Sequence, residues 1–177
     1  ASPDILHKTD IGGVRLGIHD EAQAIQAFEE IVASARQHHP KADVWGVNVQ
    51  ETAPRTGAKE FILGSKCDPR FGALLMFGLG GIYTEALKDV SFRLAPIREL
   101  SAERMIHSIR AYKILQGIRG EKPSDVRAIE ECLERLSQLV MDFPNIDELD
   151  INPLMVYAEG EGAKVVDARI ILKRDKG

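Results

Sequence analysis

Asp150 and Asn152 stand two residues apart in "LDINPL", and Asp167 follows in "VVDARI" beyond the turn "EGEG". Side chains alternate along a β-strand, so Asp150 and Asn152 share a face. A hairpin turning at Gly160-Glu161 sets Asp167 opposite Leu154 and on that same face. Two carboxylates and an amide oxygen then converge, with Leu149, Ile151, Val165 and Val166 on the other side. Hard oxygen donors of this kind suit Mg²⁺, which uses few protein ligands and completes its shell with water and nucleotide phosphates. The same pattern equally describes the polar outer face of an edge hairpin. A register slip of one residue would send Asp167 to the opposite side.

Two further stretches carry chemistry. "GLGGIYTEALKD" (78–89) is a glycine-rich loop between a strand and a helical turn. Its backbone N–H groups could approach a phosphate, or its glycines could simply serve a tight turn with close backbone packing. It matches neither the Walker pattern nor the dinucleotide fingerprint. "SPDILHKTDIGGVRLGI" (2–18) places His7 before a Gly-Gly pair. A histidine can be a nucleophile for phosphoryl transfer, with Asp10 to orient its ring and the glycines to let its loop move. The bland alternative is a solvated histidine near a polar terminus.

These residues need elements to position them. Asp20 and Gln23 form a capping-box pattern ahead of Ile25, Phe28, Ile31, Val32 and Ala35, which predicts an amphipathic helix over 21–37 that ends before Pro40. His38 and His39 are adjacent, so a helix turns them about 100° apart and they read as solvated residues at its C-terminus. Val14 to Ile18 reads as a short strand. "DVWGVNVQE" (43–51) reads as a strand with "KEFILGSK" (59–66) as its antiparallel partner. Strands follow at 73–77 and 91–97. Ser101 is expected to cap a helix reaching Ile109, and Ser124 a longer one with the stripe Val126, Ile129, Leu133, Leu136 and Val140. With the closing hairpin, this order of elements is α+β.

The 177 residues suit one domain, 44% of them hydrophobic and 28% charged, enough to bury a core. A net charge of −4 favours neither nucleic acid nor an anionic membrane as partner. No apolar run is long enough to cross a bilayer, and no signal-peptide pattern opens the chain. Cys67 and Cys132 fit no metal spacing and read as free thiols in a reducing cytoplasm.

Taken together, "SPDILHKTDIGGVRLGI", "CDPRFGALLMFGLGGIYTEALKDVSFRLAPI" and "LDINPLMVY…KVVDARI" resemble, in order and spacing, the ATP-grasp (β) part of NDP-forming acyl-CoA synthetases, the relatives of succinyl-CoA synthetase. The resemblance covers essentially the whole chain. It implies an ATP-grasp-like α+β fold with a mixed or antiparallel sheet and flanking helices. In that family acyl-CoA and phosphate yield an acyl phosphate, which phosphorylates a histidine on the CoA-binding α part. The phosphoryl group then passes to ADP. The resemblance implies that His7 relays it, in the "HK-S/T-D-x-GG" loop.

By the same resemblance Asp150, Asn152 and Asp167 bind Mg²⁺ in the "E/D-x-N-P…D-A" hairpin. Glu51 and neighbouring backbone would read the adenine of ATP or ADP, and Glu60 the ribose hydroxyls. The loop of Gly78, Gly80 and Gly81, with Glu85, Lys88 and Asp89, would close over the phosphates, and Arg93 would contact one. The resemblance also implies that residues 1–177 are one ATP-grasp fragment whose first lobe lies outside this chain. Its expected partners are the CoA-binding α domain or subunit, nucleotide, and a second copy through the incomplete lobe. A second reading from another class is a regulatory, ligand-sensing module fused to a protein acetyltransferase. The presence of His7, Asn152 and Asp167 favours the synthetase.

Overall fold

A computed structural model describes residues 2–5, 8–81 and 88–173. The chain divides into two units, Ala1–Thr52 and Ala53–Gly177.

In the first unit, helix α1 (Glu21–His38) starts where the capping box predicts. Asp20 Oδ1 accepts from the Gln23 amide at 2.8 Å, and the Gln23 side chain accepts from the His19 amide at 3.0 Å, so two orphan N–H groups are satisfied reciprocally. Ala27 and Ala35 are buried, whereas Ile25 and Phe28 are exposed. Ahead of the helix, Gly12 and Gly13 close a turn onto Thr9 and Lys8. Gly12 lies at φ +66°, and a side chain on Gly13 would strike the Lys8 carbonyl at 2.7 Å. The Asp43 amide donates to Asp4 Oδ2 at 2.8 Å. Residues 14–18 and 43–51 form no strand, contrary to expectation. Trp45 and Val49 are exposed.

Among its described residues the second unit holds a six-stranded antiparallel sheet: β1 (Lys59–Asp68), β2 (Gly72–Leu79), β3 (Val90–Leu94), β4 (Ile146–Val156), β5 (Ala163–Val165) and β6 (Ala168–Leu172). The order is β3-β2-β1-β4-β5, with β6 also on β4. This explains why 43–51 cannot pair with β1 as expected. Both edges of β1 are already occupied, by β2 and β4.

One face of the sheet is covered by α2 (Glu99–His107), α3 (Tyr112–Leu115) and α4 (Val126–Asp142). Phe61, Leu63, Leu75, Phe77, Leu149, Leu154 and Val156 meet Met105, Ile106, Ile129, Leu133, Leu136 and Val140 in a continuous core. The Phe61 and Phe77 rings stack at 5.3 Å. Each fully buried Leu, Ile or Phe contributes roughly 1.5–3 kcal/mol, so this core fixes the sheet's other face as a platform. The apolar stripe of α4 falls where the sequence sets it, but its cap is Asp125, which accepts from the Ala128 amide at 3.1 Å, and not Ser124. Likewise α2 begins two residues before Ser101, behind Arg98, with no side-chain cap. Cys67 and Cys132 are free thiols. No helix among the described residues is long and apolar enough to cross a membrane.

Candidate functional site

Because Phe61 and Leu63 point into the core, Glu60, Ile62, Gly64 and Lys66 of β1 lie on the face opposite α2–α4, where Ile62 and Gly64 are themselves buried. Register extends that face across the sheet. Gly64 pairs with Met76 on one side and Asp150 on the other, and Asp150 pairs with Arg169. One row of Met76, Gly64, Asp150 and Arg169 therefore crosses four strands. The flanking rows carry Glu60 opposite Met155, and Lys66, whose ammonium lies 3.7 Å from Glu148.

The alternation in β4 does not run straight through. Between Leu63↔Ile151 and Phe61↔Leu154 it has one residue more than β1, so Asn152 and Pro153 together form a bulge opposite Ile62. Leu149 and Ile151 face the core before it, and Leu154 and Val156 after it. Asn152 follows the core-facing Ile151 and is exposed.

Asp167 arrives from the returning strand. The closing hairpin pairs Leu154 with Val165 and Ile151 with Ala168. Asp167 thus lies opposite Asn152, whose amide donates to the Asp167 carbonyl at 3.1 Å, and not opposite Leu154. The pairing is two residues from its expected register, with the turn centre moved by one. A slip of two preserves the face, so Asp150 and Asp167 remain on the same side. Val165 is on the core side with Leu154, as expected. Pro153 has no N–H to donate, yet its carbonyl accepts from Val166 at 3.1 Å, so β5 and β6 are separate short strands.

Electrostatics tie the pair together. Burial pushes the Asp150 carboxyl up from its ordinary value, Glu148 and Asp167 push the same way, and Arg169 opposes them. A half-buried carboxylate facing two other acids is a site that a cation stabilises. No group of three His, Cys, Asp or Glu side chains among the described residues is placed to hold a metal. The set here is two carboxylates and an amide oxygen, which fits a hard ion that keeps its waters. A Cβ built on Gly64 would come within 3.2 Å of the Leu149 carbonyl, 3.3 Å of Met76 Cε and 3.9 Å of Asp150 Oδ1, so these neighbours close around the strand-interior glycine beside the carboxylate.

The other expected residues fall in different places. The Glu60 carboxylate lies near Gly81, whose added Cβ would be 3.2 Å from Oε2, and 4.0 Å from Arg55. Gly78 and Gly80 are accounted for by packing. A side chain at Gly78 would meet the Asp89 carbonyl at 2.6 Å, and one at Gly80 the Glu60 backbone at 2.8 Å. Arg93 is not brought to this face. It pairs with the buried Leu75, and its guanidinium donates to the Phe92 carbonyl and to Ser108 on the helix side. Asp89 is likewise engaged elsewhere, accepting from the Arg110 and Ala111 amides at 2.8 and 2.7 Å. Lys88 has a positive φ of 45°. Glu51 is exposed in the first unit, while His7 and Glu85 lie outside the described residues. Sequence reasoning missed Gly64 and Arg169. A glycine inside the apolar run "FILGSK" and a cation two residues beyond Asp167 were the available signals.

The result is an antiparallel platform with α2–α4 on one side and the paired acids Asp150 and Asp167 on the other. A family model described as an ATP-grasp domain matches residues 1–172. The β subunit of an ADP-forming acetate–CoA ligase from Pyrococcus furiosus is 46% identical over 171 residues, 97% of this chain and 72% of that subunit. The chain belongs to the ATP-grasp domains of the ADP-forming acyl-CoA ligases. An ADP-forming 4-hydroxybutyrate–CoA ligase from Nitrosopumilus maritimus is 49% identical over 170 residues, and there the chain spans only 24% of the relative's length. Acetyl-coenzyme A synthetase 1 of Ca. Korarchaeum cryptofilum, solved with coenzyme A and Ca-AMPCP, superposes with a TM-score of 0.89 at 44% identity, covering 97% of this chain and 73% of that one. The same enzyme with Mg-AMPPCP, its phosphohistidine segment pointing towards the nucleotide site, gives a TM-score of 0.85.

Proposed function

We propose that this chain is the nucleotide-binding and phosphoryl-relaying part of an ADP-forming acyl-CoA synthetase, catalysing acyl-CoA + ADP + phosphate ⇌ acid + ATP + CoA together with a CoA-binding α part. The observation that carries this reading is the juxtaposition of Asp150, Asn152 and Asp167 beside Gly64, on a face that also bears Glu60. Asp150 and Asp167 supply charge and Asn152 a neutral oxygen for Mg²⁺. The ion, when bound, neutralises phosphate charge during transfer. Glu60 hydrogen-bonds the ribose hydroxyls and Glu51 reads the base. His7 accepts the phosphoryl group from the α part through a ring nitrogen and releases it to a β-phosphate oxygen of ADP. Exposure of Trp45 and Val49 in residues 43–51, which carry a strand pattern but form no strand here, supports a first lobe supplied from outside this sequence. That lobe, the α part and a cytoplasmic setting complete the proposal.

The test is His7→Ala in the complete protein. Acyl-CoA-dependent ATP synthesis should vanish while acyl-phosphate formation, which precedes the relay, persists. ATP synthesis at the wild-type rate would refute the relay.

A further inference from the structure

The two strands of the metal-bearing hairpin are joined by residues 157–162, and the side chain that organises this turn comes from 35 residues upstream. Asp125 Oδ2 accepts from the amides of both Gly160 and Gly162, each at 3.0 Å, while Oδ1 caps α4 through Ala128. Backbone bonds reinforce the clamp. The Asp125 amide donates to Tyr157 and the Glu159 amide to Pro123, both at 2.9 Å, and Ser124 bridges Ala158. Gly160 and Gly162 lie at φ +82° and +79°, conformations that leave their N–H groups turned to one acceptor.

We infer that Asp125 is a positioning residue: by fixing this turn it sets the register that puts Asp167 beside Asn152. Beyond this clamp, register rests on the β4–β6 ladder and on a short first return strand. β5 is three residues long, Pro153 breaks the ladder, and Val165, Ile170 and Leu172 are exposed. A turn centred at Gly160-Glu161 is the competing arrangement. It would move Asp167 two residues along β4, about 6.8 Å at the rise of an antiparallel strand, out of reach of an ion held by Asp150. A slip of one residue would turn it to the core side.

The effect on the metal rests on the Mg²⁺ reading above, whereas the effect on register does not, and the experiment separates them. In Asp125→Ser the hydroxyl still caps α4 but is too short to hold both glycine amides. In Asp125→Ala both functions go. In the complete protein, hydrogen exchange at the Asn152, Gly160 and Gly162 amides reports register, and titration with Mg-ADP reports the site, with Asp167→Asn as reference. Asp125→Ser is expected to lose amide protection at all three positions while remaining folded. Mg-ADP affinity should fall about tenfold or more, the range for residues that orient metal ligands. Full protection of Asn152 in Asp125→Ser would overturn the inference, whatever the metal does. Unchanged affinity in Asp125→Ser, with Asp167→Asn impaired, would overturn its functional half. Unchanged affinity in Asp167→Asn would sink the Mg²⁺ assignment and leave the exchange result to decide register alone.

Discussion

Replacing Gly64 by alanine places one methyl group on the face of the sheet opposite α2–α4, beside Asp150. The backbone accepts it, since Gly64 is not among the residues with positive φ. Glycine inside a strand costs roughly 0.5–1 kcal/mol relative to alanine, which the substitution recovers. Against that, the new Cβ would lie 3.2 Å from the Leu149 carbonyl and 3.3 Å from Met76 Cε. The methionine end swings away easily, while the carbonyl must shift by a few tenths of an ångström, about 1 kcal/mol at the mild end of overpacking. The terms offset, so stability should change by no more than about 1 kcal/mol, or 2–4 °C in a domain of this size. Ligand binding has no such compensation. The methyl would stand 3.9 Å from Asp150 Oδ1 and would displace Met76 Cε and the Leu149 carbonyl beside the proposed ion site, and Mg-ADP affinity should fall at least tenfold, about 1.4 kcal/mol. Calorimetric titration of the complete protein and a thermal melt of the same sample measure both. Unchanged affinity would show that no ligand lies over Gly64. A melting point lowered by more than about 10 °C would show that the glycine serves packing.

Other substitutions read the remaining physics. Asp150→Asn should raise the melting temperature at pH 7. A carboxyl whose folded pKa lies above its unfolded one costs stability at neutral pH, and the cost disappears as pH falls through the folded value. The gap from wild type should therefore close in melts near pH 4, and a gap that persists there would contradict the assignment. Burial also pushes the Cys132 thiol up, so alkylation at pH 8 should be slow in the native protein and fast in denaturant. Leu133→Ala, at a fully buried position, should cost about 2–5 kcal/mol in a denaturant titration. A loss under 1 kcal/mol would mean that the helix–sheet core is not as close-packed as described.

Local signals were read well where local physics decides. The α1 capping box and the α4 stripe are written in the spacing of their own residues, and both appear as expected. The failures share a cause. The pairing of 43–51 with β1 assumed that neighbours in sequence are neighbours in the sheet, whereas β1 is completed by β4, some ninety positions later. The hairpin register was misplaced by two residues because the turn is held from Asp125, which no window around "EGEG" contains. Arg93 was misassigned because its face depends on pairing with Leu75. That Asp150 and Asp167 share a face was legible, because a two-residue error leaves the strand's face unchanged.

The bulge at Asn152–Pro153 shifts the alternation of β4 by half a period. Glu148 and Asp150 look onto the face opposite α2–α4 before it, and the odd-numbered Met155 does so after it. The strand is thus written in two phases, and only the junction can hold a polar ligand group between stretches whose odd and then even members feed one apolar core. The motif is not portable as a strand. Grafted onto a regular β-sheet, "LDINPLMV" would bury either Asp150 or Met155 on the wrong side, unless the host strand also offers a single residue, as Ile62 does here, to stand opposite two.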